Sequence, residues 1–146
     1  MNFLRMIPLV FFIFFVSKAS GQASNKIPQI STLPKGIVKV RVNAPSNRVQ
    51  IFKTKGTRIS IETSIRINAG SLPLLDYLAK NGRYELNSTV DLQTNTLTLT
   101  PKKNQKTLLV KGEECQEVIT YKIHIPESVK FVETLNIAEE NFVVHQ

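Results

Sequence analysis

Apolar and polar residues alternate strictly along TRISIETSIRI, where isoleucine or threonine fills every second position from Ile59 to Ile67. A period of two over ten residues predicts a β-strand with one buried face and one solvated face. The same pattern recurs in ITYKIHIP, where apolar residues and a tyrosine alternate with polar ones from Ile119 to Ile125. Pro126 cannot donate to a strand ladder, so this strand is expected to end there.

Shorter alternating runs predict further strands. These runs are GIVKVRVN, RVQIFK, RYELNSTVDL, TLTLT and LLVKG, and Val129 and Phe131 indicate one more strand. In the first run, Val38, Val40 and Val42 are predicted to point inward together. NAPSN (residues 43–47), Lys55-Gly56 and Gln93-Thr94-Asn95 are turn-forming segments between runs. Because short turns separate the runs up to residue 67, they predict an antiparallel meander.

One segment departs from the period of two. In SLPLLDYLAK, Leu74, Leu75 and Leu78 have helical spacing, and Ser71 is a suitable N-cap residue. Asn81-Gly82 provides a stop signal for the helix. The interpretation favoured is a short helix that covers the sheet, and a leucine-lined docking helix is the alternative.

These patterns predict a mainly β fold. We expect antiparallel strands in a sandwich or in a short roll or solenoid-like stack, with one short helix near residues 72–80. The single β-rich domain is predicted to cover residues 36–146. Residues 22–35 (QASNKIPQISTLPK) are polar, contain two prolines and show no period, so they are predicted to form a linker.

The N-terminus has the order of regions found in secretory signals. Arg5 precedes an apolar run from Ile7 to Val16, and the small and polar residues SKASGQ follow. The apolar run is shorter than the about 20 residues that a membrane-spanning helix needs. Residues 1–21 are therefore predicted to be a signal peptide, with cleavage after Gly21. The expected locations are the periplasm, the cell surface or the extracellular space, without a transmembrane anchor after cleavage.

The chain is basic, with a formal net charge of +8. Its densest basic segment is PKKNQK, whose Lys102, Lys103 and Lys106, with Lys111 nearby, are candidates for contact with an anionic polymer. The alternative is a solvated loop. Aromatic residues are not interleaved with these lysines, so specific nucleic-acid binding is not expected.

Residues suited to catalysis are few. The chain has one cysteine and two histidines, and a single cysteine cannot supply the usual sulfur pair of a structural zinc site. The sequence contains no Gly-rich phosphate loop and no Gly-x-Ser-x-Gly segment. The sequence therefore predicts no catalytic residues, no metal ligands and no cofactor, and it predicts that the protein is not an enzyme.

Three roles are open to Cys115: a nucleophile paired with His124, an intermolecular disulfide, or a small apolar side chain in the core. Glu113 and Glu114 directly precede the cysteine, and neighbouring negative charges disfavour a thiolate. An odd cysteine in an exported protein invites pairing between chains. The favoured interpretation is a packed, unpaired thiol.

Three segments carry a resemblance: the strand pair around NAPSNRV, GRYEL after the helix, and YKIHIPESV. With them, residues 34–133 resemble small exported proteins of Bacteroidota that are related to a bacterial adhesin-like, β-solenoid-like domain family. The resemblance implies an extracytoplasmic location and a surface or envelope role. It transfers no functional residue, because none of the three segments is a catalytic motif.

The function expected from these observations is a secreted or envelope-associated, non-catalytic binding or structural module, adhesin-like in character. Its expected partner is an envelope or extracellular protein or polysaccharide. The alternative is a secreted inhibitor or partner-docking protein that uses the edges of its sheets.

Overall fold

The computed structural model describes residues 21–102 and 107–132 of the chain. Within these ranges the protein is mainly β with a single α-helix, which confirms the predicted fold class. The helix is α1 (Leu72–Lys80). The strands are β1 (Ala23–Thr32), β2 (Lys39–Val42), β3 (Val49–Thr54), β4 (Arg58–Ile67), β5 (Leu86–Asp91), β6 (Thr96–Pro101), β7 (Leu108–Val110), β8 (Glu113–Cys115), β9 (Glu117–Pro126) and β10 (Lys130–Val132).

Two four-stranded sheets form the body of the protein. The first sheet has the order β1-β4-β9-β3, and the second has the order β10-β2-β6-β5. Both sheets are mixed, because β3 runs parallel to β9 and β2 runs parallel to both β10 and β6. β7 and β8 form a separate antiparallel hairpin. The prediction of antiparallel strands is thus correct for four of the strand pairings and wrong for the three parallel pairings.

The predicted meander of the first three runs is wrong. β2 belongs to the second sheet, whereas β3 and β4 lie on opposite sides of β9 in the first. Between β2 and β3 the chain crosses from one sheet to the other through a 3-10 turn at Ser46–Arg48. Short connections can join neighbouring strands of one sheet or carry the chain to the opposite sheet, and turn residues do not distinguish the two.

The two sheets share one hydrophobic core, which gives the sandwich its interior. Ile59, Ile61 and Ile67 of β4 are at most 1% exposed, and so are Ile123 and Ile125 of β9, as their alternation predicts. The second sheet contributes the following buried residues: Val40, Val42, Leu86, Leu97 and Leu99.

Val38 is the exception to the predicted inward set. It is 50% exposed, and the preceding residue, Ile37, is buried instead. The backbone N–H groups of Val38 and Lys39 both donate to the carbonyl oxygen of Asn95, so the regular strand pairing is interrupted where β2 begins. The period of two therefore starts at Lys39 rather than at Gly36.

The segment predicted as a linker is largely a strand. Ala23–Thr32 forms β1, which pairs with β4 over ten consecutive residues at the edge of the first sheet. The prediction for residues 22–35 is therefore corrected, and the described fold begins before Gly36. The missing signal has a physical cause, because the inward positions of β1 include Asn25, Gln29 and Ser31 and so lack an apolar period.

Side-chain hydrogen bonds compensate for this polar inner face. The side-chain nitrogen Nδ2 of Asn25 donates to Asp76 Oδ1 of α1 at 2.6 Å. Gln29 donates from Nε2 to the carbonyl oxygen of Leu86 at 2.9 Å, and the N–H of Leu86 donates to Gln29 Oε1 at 3.0 Å. Gln29 therefore joins the edge of the first sheet to the start of β5 in the second.

We expect Gln29→Glu to lower the free energy of unfolding by about 1–3 kcal/mol. A carboxylate cannot donate to the carbonyl oxygen of Leu86, so it leaves that acceptor unpaired beside a negative charge. Thermal denaturation followed by circular dichroism at neutral pH measures the loss. Thr32→Glu is the matched control, because Thr32 is exposed on the same strand. Equal melting temperatures for the two variants would contradict this role of Gln29.

The helix begins and ends as its sequence predicts. Ser71 Oγ accepts a hydrogen bond from the N–H of Leu74, and Pro73 lies in the first turn. Leu75 is fully buried. Gly82 follows the helix with φ of +71°, a left-handed conformation that glycine adopts without strain. The packing of α1 against β1 supports the interpretation of a covering helix.

A polar cluster anchors the chain after the helix to the start of β9. Arg83 donates from Nε and Nη2 to the two carboxylate oxygens of Glu117, at 2.9 and 2.6 Å. The hydroxyl of Tyr84 donates to Glu117 Oε1 at 2.7 Å. Burial, followed by the hydrogen bond to Glu117, raises the pKa of Tyr84 well above its ordinary value. This bidentate pair is mostly buried, which indicates a structural role.

Candidate functional site

The outward side of the first sheet carries many polar and basic side chains. We call this surface the basic face. Its members are the outward residues of the four strands and the adjoining Arg48, namely Ser24, Lys26, Pro28, Ile30, Thr32, Arg48, Gln50, Phe52, Arg58, Ser60, Glu62, Ser64, Arg66, Val118, Thr120, Lys122 and His124.

Strand pairing fixes the order of side chains across this face. One row runs from Glu62 on β4 to Lys122 on β9 and Gln50 on β3. The next row runs from Ser60 to His124 and Phe52. Because these strands lie in one sheet, the rows repeat about every 7 Å along it.

The basic face has an uneven charge. Its five basic side chains are Lys26, Arg48, Arg58, Arg66 and Lys122, and Glu62 is the only carboxylate in its described rows. Glu62 Oε1 pairs with Lys26 Nζ at 3.3 Å. Within the described ranges, the other four basic groups form no ion pair. The face therefore presents four cations that form no ion pair with a described carboxylate.

An aromatic pair lies among these charges. The rings of Phe52 and His124 stack with centroids 5.2 Å apart and planes inclined by 22°. Lys122 Nζ is 5.7 Å from the centre of the Phe52 ring, within the range of a cation–π contact. Phe52 remains 42% exposed, so this part of the face offers ring surface beside a cation.

Three shallow depressions follow β4 along the basic face. The first, of about 540 Å³, lies beside Arg66 and Lys26, and the second, of about 250 Å³, lies beside Arg48 and Lys122. The third, of about 420 Å³, lies at the opposite end beside Arg58 and His124. Each depression combines at least one basic side chain with Ser or Thr hydroxyl groups. This arrangement suits an extended ligand that carries both negative charge and hydroxyl groups.

The lysines predicted as anionic contacts lie elsewhere. Lys102 Nζ pairs with Glu85 Oε2 at 3.2 Å beside Gly82, so a neighbouring carboxylate balances its charge. Lys111 is exposed in the two-residue turn between β7 and β8. Lys103 and Lys106 lie outside the described residues. A role for this loop stays a prediction, and the basic face provides the larger cationic surface in the described ranges.

Cys115 lies in the core, as the favoured interpretation states. It is 5% exposed and unpaired, and its Sγ lies 3.0 Å from the carbonyl oxygen of Ala69. Cys115 lies two positions before Glu117, the first residue of β9. His124 faces outward on β9, seven positions or about 23 Å of strand beyond Glu117. The structure therefore does not bring the thiol and the imidazole together as a catalytic pair.

The described ranges contain no group of three or more His, Cys, Asp or Glu side chains positioned to hold a metal ion. None of their helices has the length and apolar character needed to cross a membrane. The predicted signal peptide lies outside the described residues, apart from Gly21.

Sequence reasoning missed the basic face as a site. It predicted the solvated sides of β4 and β9 correctly, including the outward position of His124. The five cations come from four separate segments, at positions 26, 48, 58, 66 and 122, and strand pairing brings them together. A usable signal was present, because basic residues outnumber acidic residues on the polar side of each predicted strand in this sheet.

The three segments that carry the family resemblance have structural positions here. NAPSNRV forms the crossing from β2 to β3, GRYEL links the helix to β5, and YKIHIPESV ends β9 and turns toward β10. A comparison with protein-family models, curated proteins and solved structures finds no match to this chain. The adhesin-like relationship therefore stays a prediction.

Proposed function

We propose that the protein is an exported, non-catalytic binding module of the cell envelope or extracellular space, and that its basic face binds an anionic polymer. The supporting observation is a set of four basic side chains on one exposed sheet face, Arg48, Arg58, Arg66 and Lys122, none of which forms an ion pair with a described residue. Surface cations attract a polyanion over roughly a Debye length of about 8–10 Å, so neighbouring cations act together. A flat array of this kind binds through many weak contacts and needs no deep pocket.

The proposal predicts that Arg58→Gln, Arg66→Gln and Lys122→Gln together weaken polyanion binding by about tenfold or more at low salt. Dextran sulfate and polygalacturonate are suitable probes, with affinity measured by titration calorimetry over a range of salt concentrations. Affinity of the unmodified protein is expected to fall steeply with salt, and the triple variant should show a shallower dependence. Binding that is insensitive to both salt and these substitutions would contradict the proposal.

The matched control removes the same charge from other surfaces. Lys39, Lys80 and Lys130 are exposed, and they lie on the second sheet and on α1. The triple variant Lys39→Gln, Lys80→Gln and Lys130→Gln has the same net charge as the basic-face variant. Equal losses of affinity in the two triple variants would indicate that net charge alone attracts the polymer. A third variant, Lys102→Gln with Lys103→Gln and Lys106→Gln, tests the loop predicted from the sequence.

A second candidate function is docking of a protein partner at a sheet edge. The observation in its favour is β5, an edge strand whose residues from Asn87 to Asp91 are all exposed. Val90 and Leu92 add exposed apolar surface there, at 39% and 74%. An extended segment of a partner could pair with this edge through backbone hydrogen bonds. Val90→Lys would reduce such docking and leave polyanion binding unchanged.

A further inference from the structure

The basic face carries a cation at each end of β4 and further cations on the neighbouring segments between these ends. Arg66 and Arg58 mark the two ends of the outward row of β4, and eight residues, or about 26 Å, separate them. Between these ends, Lys122 lies on β9 next to β4, and Arg48 lies directly before the edge strand β3. Both side chains line the second depression. The first and second depressions share Lys26, Ser64 and Thr120, so they form one continuous track.

Most of the side chains between these charges are neutral and polar. Gln50, Ser64 and Thr120 lie around the central depression, and Thr57 and Ser60 lie beside Arg58 at the far end. The one carboxylate at the central depression among the described residues is Glu62, which pairs with Lys26. Hydroxyl and amide groups can both donate and accept hydrogen bonds, which matches the hydroxyl groups of a sugar. Arginine forms bidentate hydrogen bonds with carboxylates. A single arginine at each end of β4 therefore suits a ligand with well-separated carboxylates better than a ligand with densely spaced negative charges.

From this pattern we infer that the ligand is a linear, carboxylated polysaccharide that lies along β4 across three subsites. Its carboxylates contact Arg66 at one end, Arg48 and Lys122 in the middle, and Arg58 at the other end. Its hydroxyl groups bond to the serine, threonine and glutamine side chains between them. The inference rests on the proposed function and specifies its ligand class and binding direction.

The same pattern disfavours other anionic macromolecules. Single-stranded nucleic acid is bound by successive bases stacking on several aromatic side chains. On the described rows of the basic face Phe52 is the only aromatic residue besides His124, and these two rings stack on each other. A membrane surface would require contiguous apolar groups for insertion. The exposed Ile30 and Val118 lie on different strands, and other rows of side chains lie between their two rows.

A ladder of oligogalacturonates, from the dimer to the decamer, tests the inference at fixed low salt. We expect affinity to rise at least tenfold with length and to level off once the oligomer spans the about 26 Å from Arg66 to Arg58. Arg66→Gln and Arg58→Gln should each lower the affinity of the longest oligomer several-fold. Each variant should also move the plateau to a shorter oligomer, because one end of the track no longer contributes.

The outcomes separate the inference from the proposed function. One outcome is that dextran sulfate binds through the basic face, while the affinity for oligogalacturonates does not depend on their length or shows no plateau. This outcome overturns the inference and leaves the proposed function standing. Tighter binding of single-stranded DNA or of phosphatidylglycerol vesicles than of polygalacturonate at the same salt also overturns it. Absence of binding to every polyanion overturns both. Ser88→Gln, an uncharged change on the exposed strand β5 of the second sheet, serves as a control and should leave the plateau length unchanged.

Discussion

Ile61→Asp is expected to destabilise the protein severely at neutral pH. Ile61 is 1% exposed in the middle of β4, where its strand partners are Gln29 on β1 and Ile123 on β9. An aspartate there either keeps an unpaired charge in the core or binds a proton, and both alternatives cost several kcal/mol. We expect a loss of about 4 kcal/mol or more, a large part of the 5–15 kcal/mol typical of a domain. Urea denaturation followed by far-UV circular dichroism measures this loss.

The matched control is Glu62→Lys at the adjacent position. Glu62 faces outward with a side chain 40% exposed, and its partner Lys26 is 68% exposed. An exposed ion pair of this kind contributes between about 0 and 1 kcal/mol, so the variant should be almost as stable as the unmodified protein. If both variants lost the same stability, the assignment of inner and outer faces on β4 would be wrong.

The sequence predicts the central strands well because their pattern depends on local residues alone. β4 and β9 each have one face against the core, and this requirement appears directly as alternation. The helix was equally predictable, since its Ser71 cap and its Gly82 stop are short-range signals. These signals identify elements and faces but do not say which strands pair.

Strand partners depend on contacts between distant residues, and this is where the prediction was wrong. β3 pairs with β9, about 70 residues later in the chain, and no turn between them specifies a parallel arrangement. β1 was missed for a related reason. Its inward Asn25 and Gln29 are satisfied by Asp76 and Leu86, which are more than 50 positions away. A polar residue in such a strand resembles a linker residue until its partner is known.

The basic face shows the same limit at the level of function. Arg58 and Arg66 are visible in sequence as the polar side of one strand. They form an array only with Arg48 from the 3-10 turn before β3 and Lys122 from β9. The loop lysines stood out because they are close together in the sequence. Proximity in sequence and proximity in space are different properties in a protein built from long-range strand pairs.

Raising the pH above about 10 is expected to destabilise the protein through two buried tyrosines. Burial raises the pKa of Tyr121 to about 12, although nearby Arg48 opposes this shift. The pKa of Tyr84 is also raised, through burial and its hydrogen bond to Glu117. In the unfolded chain a tyrosine loses its proton near pH 10, so both side chains contribute full stability below that pH. Between about pH 10 and 12 the unfolded state binds fewer protons than the folded state, and stability falls by about 1.4 kcal/mol per pH unit for each tyrosine.

Phenylalanine substitutions separate the two contributions. Tyr121→Phe removes a hydroxyl that makes no hydrogen bond to another described residue, so we expect little change at pH 7 and about half the alkaline slope. Tyr84→Phe should also halve the slope, but it additionally loses the 2.7 Å hydrogen bond to Glu117 and about 1 kcal/mol at pH 7. The double variant should be nearly insensitive to pH across this window in urea denaturation series. A double variant with the slope of the unmodified protein would show that other groups cause the alkaline loss of stability.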